Sequence, residues 1–188
     1  MRMARGLACV ATLAIMSIVV GVVMSARAKV LIGFGGDGGI PNDLDCGSNS
    51  ALVGLDARYG DFMDSVEIVC RKVDASGRLG PEYLSGRAGG NGGQPHRKTC
   101  PTSSVVGGIS GGYGRYINSI TLICRGWDAR TKAPTSNEVA RIDFSGAQAA
   151  PKRQQDVSCE SGSFATGLYV SAGVFVDHVN LVCDPYRP

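Results

Sequence analysis

LVGLDARYGDFMDSVEIVC (52–70), VGGISGGYGRYINSITLIC (106–124) and ATGLYVSAGVFVDHVNLVC (165–183) align without a gap, and each ends on a cysteine. A second cysteine stands 24 residues ahead in every copy: Cys46 before Cys70, Cys100 before Cys124, Cys159 before Cys183. Gly54, Gly108 and Gly167 coincide. So do Gly60, Gly114 and Gly173, and then Asp64, Asn118 and Asp177. Self-similarity with a period of 54 to 59 residues makes this a three-unit architecture before any single motif is read.

Outside the repeats lies an N-terminal export segment. Arg2 and Arg5 supply a basic start, residues 7–24 carry no charge, and Ala26-Arg27-Ala28 has the form of a cleavage site. Residues 1–28 are therefore expected to be a signal peptide, and 29–188 one domain of three repeats, approximately 30–80, 82–140 and 141–184. Arg2, Arg5 and Arg27 account for the whole excess of 19 Lys and Arg over 16 Asp and Glu, so the remaining chain is formally neutral. A neutral chain has no field for nucleic acid or for an anionic membrane surface, and neither is expected as a partner.

Six cysteines remain after the leader, an even number in an exported chain, which implies disulfides and an extracellular or periplasmic location. Three equivalent units should close in three equivalent ways, pairing Cys46–Cys70, Cys100–Cys124 and Cys159–Cys183. Each bridge would close a loop of about two dozen residues and contribute roughly 3 kcal/mol. There is no C-x-x-C, and the cysteines lie too far apart for a zinc site with His96 or His178. No metal and no cofactor is expected.

Before each second cysteine the residues alternate. Val66, Ile68 and Cys70 point one way, as do Ile120, Leu122 and Cys124, and Val179, Leu181 and Cys183. That is a strand with one buried face. A partner strand precedes it near 51–57, 105–111 and 165–170. Glycine-bearing links at 58–60, 112–114 and 171–173 are expected to turn with positive φ. Further strands are expected at 30–34, 82–85 and 141–145, and loops at 72–81 and 125–138. GlyGlyAspGlyGly (35–39) and GlyGlyAsnGlyGly (89–93) follow the first two of these strands. The third copy reads GlyAlaGlnAlaAlaPro (146–151) and has lost the run. The whole is all-β: three pseudo-symmetric antiparallel sheets around a threefold axis, a β-prism, with a β-trefoil as the alternative.

The segments 60–66, 114–120 and 173–179 resemble the G-x-x-x-D segment of jacalin-related lectins, and the paired glycines resemble that family's glycine loop. The three-unit layout with cysteines in each unit resembles vitelline membrane outer layer protein, also a β-prism. The resemblance implies carbohydrate binding at Gly60 with Asp64, at Gly173 with Asp177, and more weakly at Gly114 with Asn118, where an amide replaces the charge. Tyr59, Phe62, Tyr113, Tyr116 and Phe175 lie beside these positions and could stack on a sugar. The implied partner is a glycan or glycoconjugate surface.

The same residues admit a plainer reading. Asp and Asn at turn ends bond their own backbone, and three equivalent turns would need three equivalent residues for folding alone. Gly54, Gly108 and Gly167 read as bulges or close packing points. An alternative function is therefore a structural or protein-interaction module. A polysaccharide hydrolase built from Asp56, Asp61, Asp64 or Glu67 is a third, but no catalytic residue is expected. Asp177 and His178 are adjacent in a strand, face opposite ways, and so form no dyad. Asp37, Asn42, Asp43 and Asp45 crowd one loop and are read as solvated rather than as a calcium site. Trp127, the single tryptophan, is read as packing beneath a connecting loop, with a sugar platform as the other use.

Overall fold

The computed structural model describes residues 29–30, 33–147 and 153–186. The expected export segment, 1–28, lies outside the described residues. Among the described residues thirteen strands follow in order. The first five are β1 (Lys29–Val30), β2 (Phe34–Gly35), β3 (Ile40–Asp45), β4 (Ser50–Tyr59) and β5 (Met63–Val73). Then come β6 (Leu79–Gly89), β7 (Gln94–Thr99), β8 (Ser104–Tyr113), β9 (Ile117–Asp128) and β10 (Ala133–Ser145). The chain closes with β11 (Arg153–Ser158), β12 (Ser163–Ala172) and β13 (Val176–Pro185).

They form three antiparallel sheets. The first has the order β6-β5-β4-β7 and the second β10-β9-β8-β11. The third has β1-β13-β12-β3, with β2 also paired to β13. The architecture is the β-prism, not the trefoil. In each sheet a central hairpin carries the alternating apolar residues read from the sequence. Leu52, Leu55, Val66 and Ile68, then Val106, Ile109, Ile120 and Leu122, then Leu168, Val179 and Leu181 are all fully buried in one shared core. Burying a side chain of this size stabilises by about 1.5–3 kcal/mol, so the three faces hold the sheets together.

The sheets are offset from the sequence repeats. β3, β7 and β11 each precede a first cysteine, yet each pairs with the hairpin of the preceding unit, so the first residues of the domain complete the third sheet beside the last hairpin. The disulfides span this offset. Cys46 follows β3 of the third sheet and bonds Cys70 on β5 of the first. Cys100 and Cys124 join the first sheet to the second, and Cys159 and Cys183 the second to the third. The Cα–Cα separations are 5.6, 5.7 and 5.7 Å, at the common value for a bridge. The three bridges thus clasp the prism around its circumference.

Gly54, Gly108 and Gly167 sit beside bulges where the edge strands press on the hairpin. A Cβ on Gly54 would lie 2.6 Å from the Lys98 carbonyl oxygen, and one on Gly108 2.8 Å from that of Val157. Close backbone approach therefore requires glycine there. Two expectations need correction. Of the expected loop 72–81, residues 72–73 and 79–81 are strand, and of the expected loop 125–138, residues 125–128 and 133–138 are strand, because β5, β6, β9 and β10 run on past the apolar alternation with largely half-buried and exposed residues. The polar edge strands β3, β7 and β11 had no alternation to reveal them.

Candidate functional site

The hairpin turns of the three sheets meet at one end of the prism. Each turn closes identically: the Gly60 N–H donates to the Phe62 carbonyl (3.1 Å), Gly114 to Tyr116 (3.0 Å) and Gly173 to Phe175 (2.9 Å). None of these three glycines has a positive φ, contrary to the expectation from sequence. The positive φ values fall instead in the glycine runs, at Gly35 (144°), Gly39 (82°), Gly89 (107°) and Gly93 (59°).

Topology explains those runs. In the first sheet β6 and β7 are opposite edges, so the 89–93 segment must cross the end of the sheet, over the β4–β5 turn. The Gly90 N–H donates to the Asp64 backbone carbonyl (2.8 Å), and Gly92 and Gly93 pass directly over the Asp64 carboxylate. A Cβ on Gly93 would stand 2.5 Å from Asp64 Oδ2. The 35–39 segment repeats this over Asp177. The Gly36 N–H donates to the Asp177 carbonyl (2.8 Å), and a Cβ on Gly39 would stand 2.7 Å from Asp177 Oδ2. In the second sheet the Gly146 N–H donates to the Asn118 carbonyl (3.1 Å). Residues 148–152, where the other two copies continue with glycine, lie outside the described residues.

Each crossing loop also rests on the turn of a neighbouring sheet. Gly36 lies against the Arg115 backbone, Gly90 against Val174, and Gly146 against Gly60 and Asp61. A site is therefore built from three pieces: a turn with its acid, a glycine loop above it, and the tip of the next turn. Around Asp177 these pieces enclose an open cavity of about 620 Å³, lined among others by Gly36, Gly38, Arg115, Gly173 and Phe175. That volume is within the roughly 300–1,000 Å³ of small-ligand clefts.

Asp64, Asn118 and Asp177 are 6, 5 and 6% exposed, so all three belong to the frame of their turns. Burial raises the pKa of Asp64 above 3.8, and the Arg58 charge and a hydrogen bond from the Gly60 backbone pull it back. Burial raises Asp177 likewise, opposed by Arg115. The turn glycines differ in kind from the loop glycines. A Cβ on Gly173 would meet nothing within 4 Å, and one on Gly60 only the Gly93 Cα at 3.8 Å. Neither strain nor packing demands glycine there, and at Gly173 the space left open is part of the cavity that Asp177 also lines.

The aromatic candidates divide. Phe62, Tyr116 and Phe175 converge at the apex, with ring centroids 5.5, 5.7 and 4.9 Å apart, and Tyr116 and Phe175 line the cavity around Asp177. Tyr59 stacks on His96 (4.2 Å) and Tyr113 on Phe34 (5.9 Å), so these two pack against the core and are corrected as sugar platforms. Trp127 donates its indole N–H to the Gly77 carbonyl (2.7 Å) and lies edge-on to Phe164 (5.2 Å), which makes it a packing residue at the far end. Asp177 faces Gly38 and Gly39, whereas His178 turns its ring to the Gly36 carbonyl and the Asn180 amide oxygen (3.3 Å each), so the neighbours form no dyad. Asn42, Asp43 and Asp45 lie on strand β3 rather than in a loop with Asp37; Asp45 accepts from the Gly47 N–H (2.9 Å) and Asn42 donates to the Ile40 carbonyl (2.7 Å), local backbone roles.

Sequence reasoning missed Arg58, Arg87, Arg115 and Val174. Arg58 and Arg87 grip the 89–93 loop, and the other two reach a site from the neighbouring sheet. The signal was present in the residue after each turn glycine (Asp61, Arg115, Val174), but which turn abuts which loop follows only from the strand exchange.

No family model matches the chain, and no curated protein matches it. Solved structures do. The Malaysian banana lectin is similar over 85% of this chain and 99% of its own (20% identity, TM-score 0.60). A mannose-binding jacalin-related lectin from Ananas comosus matches over the same shares (19% identity, TM-score 0.61). Artocarpin, solved with mannotriose, matches at 12% identity with a TM-score of 0.61, over 85% of this chain and 99% of its own. At these identities the likeness is one of fold: the chain has the β-prism of jacalin-related lectins.

Proposed function

We propose that the protein is an exported, non-catalytic carbohydrate-binding module with two sugar sites, at Gly60/Asp64 and Gly173/Asp177. The observation that carries this reading is the open cavity that Gly173 and the buried Asp177 line together, with the equivalent turn glycine Gly60 likewise not needed for packing beside Asp64. A carboxylate there accepts hydrogen bonds from vicinal hydroxyls of a pyranose, and charge-assisted bonds of this kind are the strong ones. Backbone N–H groups of the loop lie within reach of the same sugar, and Phe62 and Phe175 offer apolar walls. Mannose is the first sugar to try, since a protein of the same fold from Ananas comosus is mannose-binding. The three disulfides, each joining two neighbouring sheets, suit work outside the cell.

Asn118 is assigned no sugar. A Cβ collides with the carboxylate at Gly38 and Gly92, and Gln148 and Ala149 stand in sequence where the two working loops have their second glycine pair. Two sites on one rigid body would gain from avidity on a repetitive glycan surface. The test is a glycan array probed with the oxidised protein and with Gly60→Leu/Gly173→Leu. Binding to a defined set that the variant loses supports the reading. An array left blank by folded, monodisperse protein removes it and favours the structural or protein-interaction role, which the equal burial of Asp64, Asn118 and Asp177 would then explain.

A further inference from the structure

The two sites are not equivalent, and the difference lies in what holds each glycine loop. Above Asp64, Arg58 donates from Nε to the Gly92 carbonyl and from Nη2 to the Gly93 carbonyl, both at 2.8 Å. Arg87 donates from Nη2 to the Gly90 carbonyl (2.8 Å), to Asn91 Oδ1 (3.1 Å) and to Ser65 Oγ (3.2 Å). Four of the five loop residues are thereby bonded to a guanidinium. At the aligned positions the Asp177 site has Ser171 and Gly33, neither of which carries such a group. Among the described residues, the polar side-chain contact to a carbonyl of the 35–39 loop is the His178 ring at 3.3 Å from the Gly36 carbonyl.

A run of glycines has the largest backbone entropy to lose of any segment of its length. A loop already fixed presents its N–H groups at no further cost, whereas a loop that must settle onto the sugar spends part of its binding energy on ordering. Arg58 does a second thing: its charge opposes the burial that raises the Asp64 pKa, favouring the ionised acceptor. Arg115 does this for Asp177, but from an exposed turn where solvent screens it.

We infer that the Asp64 site is the preformed, tighter of the two, and that Arg58 is its positioning residue. This rests on the carbohydrate reading above. The test is calorimetric titration of the oxidised protein with methyl α-mannoside, with each site isolated by blocking the other. Gly173→Leu leaves the Asp64 site, and Gly60→Leu leaves the Asp177 site. The Asp64 site should bind about tenfold more tightly. In the Gly173→Leu background Arg58→Met, which keeps the apolar stem, should abolish that advantage. Arg58→Lys should restore only part of it, because the fork that spans two carbonyls is lost. In the Gly60→Leu background Arg58→Met should change nothing. Backbone ¹⁵N relaxation supplies the readout that a merely structural role would not move: Arg58→Met should loosen 89–93 to the level of 35–39 without altering the strands. Equal affinities at the two sites, or an equal loss at both, would overturn the inference while leaving the carbohydrate reading intact. Absence of binding at both sites would overturn the inference and the carbohydrate reading together.

Discussion

Replacing Gly173 by leucine separates a ligand-contacting glycine from a structural one. The position has ordinary φ, and an added Cβ meets nothing within 4 Å, so the new side chain projects into the cleft before Asp177 without moving the fold. Surface changes of this type usually alter stability by less than about 0.5 kcal/mol, and alanine at such a site can add ~0.4–1 kcal/mol by restricting the unfolded chain. Binding should suffer far more. Filling the space where a sugar hydroxyl meets the carboxylate removes one or two hydrogen bonds worth about 0.5–1.5 kcal/mol each, and adds steric exclusion. The affinity of the Asp177 site should fall at least tenfold, which corresponds to about 1.4 kcal/mol. Gly39→Ala is the control. Its φ of 82° and the Ala172 nitrogen 2.5 Å from the new Cβ make that glycine structural. Backbone strain of about 1–3 kcal/mol predicts a melting temperature lower by roughly 2–12 °C. The assay is differential scanning fluorimetry beside calorimetric titration on both variants. Gly173→Leu that melts early, or that binds mannoside like the parent at the Asp177 site, refutes the reasoning.

Other outcomes follow from the same geometry. Asn118→Asp should create no third site, because no glycine pair roofs it, and burying a carboxylate at 5% exposure should lower the melting temperature at neutral pH; titration stoichiometry and a melt check both. Burial holds the pKa of Asp64 and Asp177 above 3.8, so their protonated forms are favoured in the fold: these groups cost stability as pH rises from 3.8 through their raised pKa, and none is lost below 3.8. If the sugar needs the ionised acids, affinity should fall on acidification while the pH is still above 3.8, and a pH series of mannoside titrations reads this. Removing one clasp as Cys159→Ala/Cys183→Ala should cost about 2–4 kcal/mol, because it frees the second sheet from the third; denaturant unfolding gives the value.

The fold was legible because its evidence is periodic. The alternation ending in Cys70, Cys124 and Cys183 marked the inner strands, and equal cysteine spacing gave the bridges that the structure contains. β3, β7 and β11 were not legible, because edge strands exposed to water keep polar and proline residues and show no period. With them went the strand exchange, and hence the fact that each bridge joins two sheets. At the candidate site the acids and glycines were singled out by register and by the resemblance, but the backbone conformation expected of the turn glycines was not observed. Positive φ was expected at Gly60 and Gly173, which do not have it, while Gly39 and Gly93 do. Arg58 was invisible for a different reason: its role depends on a loop 34 and 35 residues away in sequence, and no repeat of it exists to draw the eye.

The most direct test is the stoichiometry of methyl α-mannoside binding to the oxidised protein at neutral pH, measured by calorimetry on the parent, on Gly60→Leu, on Gly173→Leu and on the double variant. Two sugars per parent chain, one per single variant and none per double variant, with all four proteins melting alike, is the predicted result. No heat from the folded parent, or a stoichiometry that the glycine substitutions leave unchanged, would contradict the account.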